Sequence, residues 1–370
     1  MIGIKTIICA VLLSLTSLMA GTVAVAKIKI ENVHEASSMV TAGCRACHAG
    51  SDMARSVLDT CYQCHGDMSE LDKAEKKGLL SPFYKASKSM SEISMKRKLE
   101  KPYRHPIGEV KGGHNAYEEM PETASGVERH VECVDCHSPH YMRADRKFAG
   151  LKGVTKTGIS GVWARAEYEV CFNCHSDSYN LPVDQTNKRM EFAESNPSYH
   201  PVIAEGKNSF VPSLIKPYTE KYASAGDKSR ITCSDCHNND DKRGLQGPHA
   251  SNYPAILARN YSISDNVDES PQSYDLCYGC HKRSSILGDI SFKYHSLHIK
   301  GDLVKGIRGT SCFTCHDAHG STENTHLIRF NSDVVFSNPS TMALAFIDKG
   351  EFKGECSLLC HGVNHNPRSY

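Results

Sequence analysis

The longest apolar run of the chain lies near its N-terminus. Residues Ile7 to Leu18 are mostly apolar, Lys5 precedes them, and Ala24-Val25-Ala26 follows as a small-residue cleavage site. This pattern predicts an export signal over residues 1–26 and a mature chain that starts at Lys27, and the run is too short for a good membrane span. No later stretch is apolar enough to cross a bilayer, so we expect an exported, soluble protein.

Beyond the signal, the periodicity of apolar residues is weak. Strand patterns are sparse, and short helical segments alternate with long connections that contain Gly, Pro and Asn. Residues 71–101 are rich in Lys, Glu, Ser and Met and predict one or two exposed helices. Their basic residues suit either a solvated helix face or a docking surface for an acidic partner. These residues are Lys85, Lys88, Lys96, Arg97, Lys98 and Lys101.

The composition changes this picture through two residue types. Among 370 residues, 43 Lys and Arg nearly balance 42 Asp and Glu, so charge gives no argument for nucleic acid. Only 39% of the residues are hydrophobic, with a single Trp, and a conventional core would be thin for this length. The chain holds 17 Cys and 20 His, however, and these residues fall into a pattern.

Cys9 lies in the export signal, and the other sixteen cysteines form eight pairs that are each followed by His. Seven pairs read Cys-x-x-Cys-His, and the last one, CSLLCH, has one extra residue between its cysteines. The pairs are Cys44 and Cys47, Cys61 and Cys64, Cys133 and Cys136, Cys171 and Cys174, Cys233 and Cys236, Cys277 and Cys280, Cys312 and Cys315, and Cys356 and Cys360. The histidines that follow them are His48, His65, His137, His175, His237, His281, His316 and His361.

Cys-x-x-Cys-His is the attachment sequence of c-type haem. Two thiols a short turn apart form thioethers to the two vinyl groups of a porphyrin, and the next residue supplies the proximal iron ligand. Structural zinc, a thioredoxin-like CxxC site and disulfides do not require His after every second cysteine. The extra residue in CSLLCH lengthens only the turn between the thiols, so the pattern predicts eight covalent haems c.

Twelve other histidines are enough to give every haem a second axial imidazole. His140 and His319 each lie three residues after a proximal His, His295 and His298 are one helical turn apart, and a proline follows two others. The predicted distal ligands are His34, His105, His130, His140, His200, His249, His295, His298, His319 and His326, while His114 and His365 are the weakest candidates. Which distal His belongs to which haem is left open.

The chain also contains an internal repeat. CVDCH at 133 precedes YEVCFNCHSDS at 168, and CSDCH at 233 precedes YDLCYGCHKRS at 274. A duplicated two-haem unit explains this pattern. We expect four regions: the signal 1–26, a two-haem region with a helical insert at 27–130, a two-haem unit at 131–225, and a four-haem region at 226–370. The expected fold class is mostly irregular with scattered α-helices and little β, wrapped around a covalently bound haem array.

These motifs resemble the multihaem c-type cytochromes of the cytochrome c3-like, paired-CxxCH superfamily, and CFTCHDAHGS at 312–321 is typical of their C-terminal motifs. The arrangement is similar to periplasmic octahaem cytochromes of porin–cytochrome conduits in metal-reducing bacteria. The resemblance implies electron transfer, without catalysis, across the periplasm to or through the outer membrane in extracellular respiration. Its implied partners are periplasmic cytochromes and outer-membrane porin or outer-surface cytochromes, with no nucleic acid, and membrane association only through those partners.

Two alternatives remain open at this stage. An octahaem reductase of nitrogen or sulfur oxyanions would need one haem with an open iron position. A filament-forming extracellular cytochrome would need haems exposed at both ends and a homopolymeric contact. The expected location is the periplasm, the outer membrane or the cell exterior.

Overall fold

The structure is a computed structural model that describes residue 34 and residues 40–49, 52–53, 56–82, 94–108, 131–143, 145–178, 181, 185–208, 210–242 and 244–370. The expected signal at 1–26, the candidate ligands His114 and His130, and Lys85 and Lys88 lie outside these residues. The described residues belong to one compact unit, Asn32–Tyr370. None of the helices in the described ranges is long and apolar enough to span a membrane.

Within the described residues the helices are short, and the longest have nine residues. In chain order they are α1 Val57–His65, α2 Met68–Lys76, α3 Met95–Lys98, α4 Cys133–Cys136, α5 Glu167–His175, α6 Lys188–Glu191, α7 Cys233–Cys236, α8 Asp275–Tyr278, α9 Arg283–Ile286 and α10 His295–Lys300. Single 3₁₀ turns occur at Gly43–Ala46, Pro254–Ile256, Leu303–Lys305 and Cys312–Thr314.

The expectation of little β structure was wrong, because the described residues form six antiparallel sheets. Five are two-stranded: β1 His48–Ala49 with β2 Asp52–Met53, β3 Tyr103–Arg104 with β7 Ala250–Ser251, β4 Lys152–Gly153 with β5 Val162–Trp163, β6 Ser198–Tyr199 with β10 Gly320–Ser321, and β8 Gly301–Asp302 with β9 Ile307–Arg308. The sixth joins β11 Val335–Phe336, β12 Ala345–Asp348, β13 Gly354–Cys360 and β14 Val363–Ser369. Two-residue strands are too short to produce a readable alternation of apolar and polar positions.

The polypeptide's own apolar core is small. One cluster gathers buried residues around α5, and a second packs under α2. The first consists of Tyr168, Phe172, Phe192, Tyr199, Val202 and Ile203, and the second of Leu71, Ala74 and Leu80. Within the described residues, these two clusters bury little apolar area for a chain of this length.

The helices of the 71–101 segment are less exposed than expected. Leu71 and Ala74 of α2 are buried. Lys98 Nζ lies 3.7 Å from Asp241, Lys101 pairs with Asp240, and Lys96 Nζ lies 3.7 Å from Asp67. These described lysines are paired within the chain, which favours a structural role for this part of the basic run over partner docking.

Candidate functional site

The repeated sequence gives repeated local structure at the cysteines. In α4 and α7, the aspartate between the two cysteines caps its own helix: Asp135 accepts a hydrogen bond from the Glu132 backbone N–H at 2.7 Å, and Asp235 accepts one from Thr232 at 2.8 Å. These contacts satisfy a backbone donor that the first turn leaves unpaired. A single capped turn thus sets the separation of the two thiols.

The fourth motif lies at the end of a longer helix. Cys171 and Cys174 both belong to α5, and His175 is the last residue of that helix. Residues three apart on a helix are neighbours on one face, so the two thiols lie on the same side of α5. Cys174 is half-buried, as Cys171 is. This placement suits two bonds to one porphyrin, and thioether formation at Cys174 stays a prediction.

Thiols of successive motifs lie side by side. Three pairs of first cysteines lie close enough for one thiol to raise the pKa of the other: Cys133 acts on Cys61, Cys233 on Cys171, and Cys312 on Cys277. These contacts join the second motif to the third, the fourth to the fifth and the sixth to the seventh.

The remaining links are made through second cysteines. Burial and then the nearby Cys47 thiol raise the pKa of Cys64, and Cys136 contributes to the raised pKa of Cys171. Burial, then Cys280 and Cys277, raise the pKa of Cys236 to about 12. Cys315 has its pKa raised to about 12 in the same way, by burial and then by Cys360 and Cys356. The motifs therefore follow one another in space in the same order as in the chain.

Sixteen histidines form eight pairs in which the ring centroids lie 5.8–6.4 Å apart. The pairs are His34–His65, His48–His140, His105–His175, His137–His249, His200–His281, His237–His319, His295–His316 and His298–His365. A ring nitrogen lies about 2 Å from a bound transition metal and roughly 1 Å from its ring centroid, so two trans imidazoles put their centroids about 6 Å apart. The pairs fit a metal held between two rings.

Burial favours the neutral form of several of these rings, which is the form that binds a metal. Burial, and then the paired His34 and neighbouring His137, lower the pKa of His65 to about 4. Burial also lowers the pKa of His281 to about 4 and that of His295 to about 3, with further contributions from nearby imidazoles.

Many paired rings are oriented through Nδ1, which leaves Nε2 for the position between the rings. The Nδ1 atoms of His237, His316 and His298 lie 2.8, 2.9 and 2.7 Å from the carbonyl oxygens of Ala255, His326 and Tyr294, respectively. His281 Nδ1 lies 2.9 Å from the Ser213 hydroxyl. Such contacts fix the tautomer and the direction of a ligating ring.

Two of the short sheets deliver distal histidines. His105 directly follows β3 and His249 directly precedes β7, while His200 follows β6 and His319 precedes β10. The register Arg104↔Ala250 and Tyr199↔Gly320 sets the two histidines of each sheet side by side. Each sheet therefore supplies one imidazole to each of two neighbouring motifs: β3–β7 to the third and fourth, and β6–β10 to the fifth and sixth.

The structure places some candidates outside the pairs. His326 Nε2 lies 3.2 Å from Asp348, and its carbonyl supports His316. His361, expected as the eighth proximal ligand, has its Nε2 3.1 Å from Asp265. His365, one of the weakest candidates from sequence, is paired with His298. The remaining candidates on described residues all lie in pairs.

Sequence reasoning also missed a polar group around one ring. Atoms of Glu191, Asp317 and His319 lie within 4.8 Å of one another. His319 Nδ1 lies 3.4 Å from Glu191 and 3.5 Å from Asp317, and Arg329 bridges both carboxylates. Because His319 is paired with His237, this cluster surrounds a candidate distal ligand. The carboxylate two residues before His319 was visible in CHDAH, but its direction toward Nδ1 was not.

Comparison with known proteins gives the family. The family model described as outer membrane cytochrome MtrC/MtrF-like, domains II/IV, matches twice, at residues 36–208 and 164–327. No curated protein and no solved structure matches. The match confirms a multihaem c-type cytochrome, of the outer membrane MtrC/MtrF-like family, and does not extend to the finer resemblance to cytochrome c3-like octahaem proteins. Cytochromes of this family are electron carriers, with redox proteins of porin–cytochrome conduits as partners.

The two matches together span more than three quarters of the chain. This chain therefore belongs to the MtrC/MtrF-like outer membrane cytochrome family, as an exported multihaem c-type cytochrome of electron transport in extracellular respiration.

Proposed function

We propose that the chain binds eight covalent haems c, each between two histidines, and relays electrons along them in the order of the motifs. The observation that carries this proposal is the set of eight imidazole pairs, whose centroids are 5.8–6.4 Å apart. Seven of these pairs join a histidine that follows a cysteine pair to a histidine from elsewhere in the chain.

Haem iron between two imidazoles has no open coordination position and exchanges single electrons. The chain's contribution is to hold the sites close together, since thiols of each motif approach those of the next. A continuous row of such sites suits transfer from one end of the protein to the other. Periplasmic cytochromes would donate electrons, and an outer-membrane porin complex or outer-surface cytochrome would accept them.

Covalent haem also accounts for the fold. The described chain has small apolar clusters and short elements, and an array of porphyrins would supply the missing apolar surface. We therefore expect the chain to remain unfolded without haem, as small metal domains do without their metal.

The test is intact-mass spectrometry of the mature protein combined with electron paramagnetic resonance. We expect the polypeptide mass plus eight haems, and a ferric spectrum that is low-spin throughout and unchanged by nitrite or sulfite. A mass with fewer than eight haems would contradict the haem number. A high-spin haem that responds to either anion would contradict an electron carrier and favour the reductase.

A further inference from the structure

The eighth cysteine pair lies on a different kind of element from the other seven. Cys356 and Cys360 both belong to strand β13, which pairs with β14 in a C-terminal hairpin. Cysteines of the other motifs lie on or beside α-helical or 3₁₀ turns. The extra residue of CSLLCH therefore changes the spacing of two thiols along a strand.

On a strand, the spacing Cys-x-x-x-Cys has a direct geometric purpose. Residues i, i+2 and i+4 point to the same face, whereas i and i+3 point to opposite faces. Cys356 and Cys360 are four residues apart, and Leu358 between them is only 4% exposed. The register with β14 shifts between Cys356 and Leu358 because β14 has one extra residue there, whereas β13 stays regularly paired with β12 up to Ser357. The additional residue in β13 therefore puts both thiols on the inner face of the hairpin, where a three-residue separation would have split them.

The histidine next to Cys360 is taken up by the hairpin turn. Cys360 pairs directly with Val363, so His361 and Gly362 are the two turn residues, and their φ angles are 49° and 72°. Two positive φ angles are the requirement of a type I′ turn. The His361 ring then reaches Asp265, with Nε2 3.1 Å from the carboxylate.

His365 takes the place that His361 leaves. It lies directly opposite Leu358 in the register of β13 and β14. Directly opposed residues of an antiparallel pair share a face, so His365 joins Cys356 and Cys360 on the inner face. Its ring centroid is 6.3 Å from that of His298, as in the other pairs, and its buried Nδ1 has no hydrogen-bond partner.

Helix α10 connects this pair to the preceding site. It carries His295, which pairs with His316 of the seventh motif, and one turn later His298. The thiols of Cys356 and Cys360 are close enough to Cys315 of the seventh motif to affect its titration. The pair His298–His365 therefore lies next to the seventh site in space.

We infer that His365 and His298, not His361, are the axial ligands of the eighth haem. This inference rests on the proposed function, because it requires that Cys356 and Cys360 carry a haem. The binding sequence of the eighth site is then Cys-x₃-Cys-x₄-His on a β-hairpin, and the role of His361 is to close the turn and bond Asp265.

The experiment compares two variants of the full-length holoprotein. His361→Asn keeps the turn, because Asn tolerates a positive φ. We expect it to retain eight haems by intact mass and a fully low-spin ferric spectrum. His365→Ala should retain the thioether-bound haem but convert one haem in eight to high spin.

A high-spin haem in His361→Asn, or an unchanged low-spin spectrum in His365→Ala, would overturn the inference while leaving eight haems in place. If His365→Ala does not fold, His365→Met replaces it. One haem of eight should then titrate at a higher potential, because Met/His ligation raises the potential, and no such shift in this variant would count against the inference. A wild-type mass of seven haems with free Cys356 and Cys360 would instead remove the eighth site, and the proposed function's haem number with it.

Discussion

The two sheets next to candidate distal histidines, β3–β7 and β6–β10, have the same backbone arrangement. In each, the first histidine donates its backbone N–H to the carbonyl of the second: His105 to His249 at 3.3 Å and His200 to His319 at 3.0 Å. The Nδ1 of the first histidine bonds the carbonyl just before the second, at Pro248 or Ala318. Both sheets therefore orient their two histidine rings with the same backbone frame.

The two sheets differ around the second histidine. Two residues before it, the first sheet has Gly247 and the second has Asp317. The buried Nδ1 of His249 has no hydrogen-bond partner, whereas His319 Nδ1 faces Asp317 and Glu191. A carboxylate at Nδ1 raises the basicity of a ligating imidazole. The position of a candidate ligand and the charges around it are therefore set by different residues. Two sites with the same backbone geometry can then differ in reduction potential.

Removing the second histidine of each sheet should have the largest effect. His249→Ala and His319→Ala should each convert one haem in eight from low spin to high spin, measured by electron paramagnetic resonance. His319→Ala should destabilise the protein more, by roughly 1 kcal/mol, because it leaves the buried Glu191 and the half-buried Asp317 carboxylates with one partner fewer. An unchanged spectrum in either variant would refute the assigned pair. His326→Ala, which removes a ring that lies outside the pairs, serves as the control.

Substituting the small residue that follows the second histidine should lower the stability by different amounts in the two sheets. A Cβ on Gly320 would overlap the backbone oxygen of Glu191, so something in the backbone must shift in Gly320→Ala, at a cost of about 1–3 kcal/mol. The equivalent Ala250 is fully buried, and Ala250→Gly should cost only about 1 kcal/mol. Guanidinium unfolding measures both. Equal losses would mean that α6 does not pack more closely on the second sheet.

The sequence predicted the type of chemistry but not the pairing of the histidines. Cysteine spacing alone predicted the attachment points, and proximity to a proximal histidine, to proline or to another candidate histidine selected six of the ten distal candidates. Pairing was unreadable because His105 and His175 are 70 positions apart and meet through tertiary structure. His361 and His365 could be told apart only through strand register, since a turn and an inner face differ by a few residues.

The β structure was missed for a related reason. Strands such as Tyr103–Arg104 have two residues, and their pairing partners lie far away in the chain. Such strands are stabilised by backbone hydrogen bonds next to the ligands, without a hydrophobic pattern of their own. The hairpin β13–β14 is longer, but its CSLLC segment was interpreted as an attachment turn, because that is what the motif forms elsewhere in this chain.

Neutralising Asp317 should make the second sheet resemble the first. Burial alone would raise the pKa of Asp317, but hydrogen bonds from His319 and the charge of Arg329 outweigh it and hold the pKa well below the usual value. A depressed pKa stabilises the fold above the unfolded value near pH 4 and loses that effect as the pH falls. Asp317→Asn should therefore cost about 2 kcal/mol at neutral pH and progressively less in acid.

The same substitution should raise the potential of one haem by roughly 20–60 mV, since a one-electron couple shifts about 59 mV per tenfold change. Spectroelectrochemical titration measures it, with Asp302→Asn, a carboxylate paired to Lys305, as the control. A stability loss that stays the same as the pH falls far below 4, toward the folded-state pKa of Asp317, would contradict a role for Asp317 in setting the ligand's basicity. Potentials that match those of the control would contradict it as well.

Removing the aspartate caps should have the smallest effect on stability. The loss should be nearly the same in α4 and α7. Asp135 and Asp235 cap α4 and α7 with nearly equal hydrogen bonds, 2.7 and 2.8 Å, and Asp235 also accepts one from the Thr232 hydroxyl at 3.1 Å. Asp135→Ala and Asp235→Ala should each cost about 1 kcal/mol in guanidinium unfolding, the second by a few tenths more. Haem content and the low-spin spectrum should not change in either variant, because the thioethers already fix the turn once they form. A difference above about 1 kcal/mol would mean that the caps, like the surroundings of His249 and His319, are not equivalent.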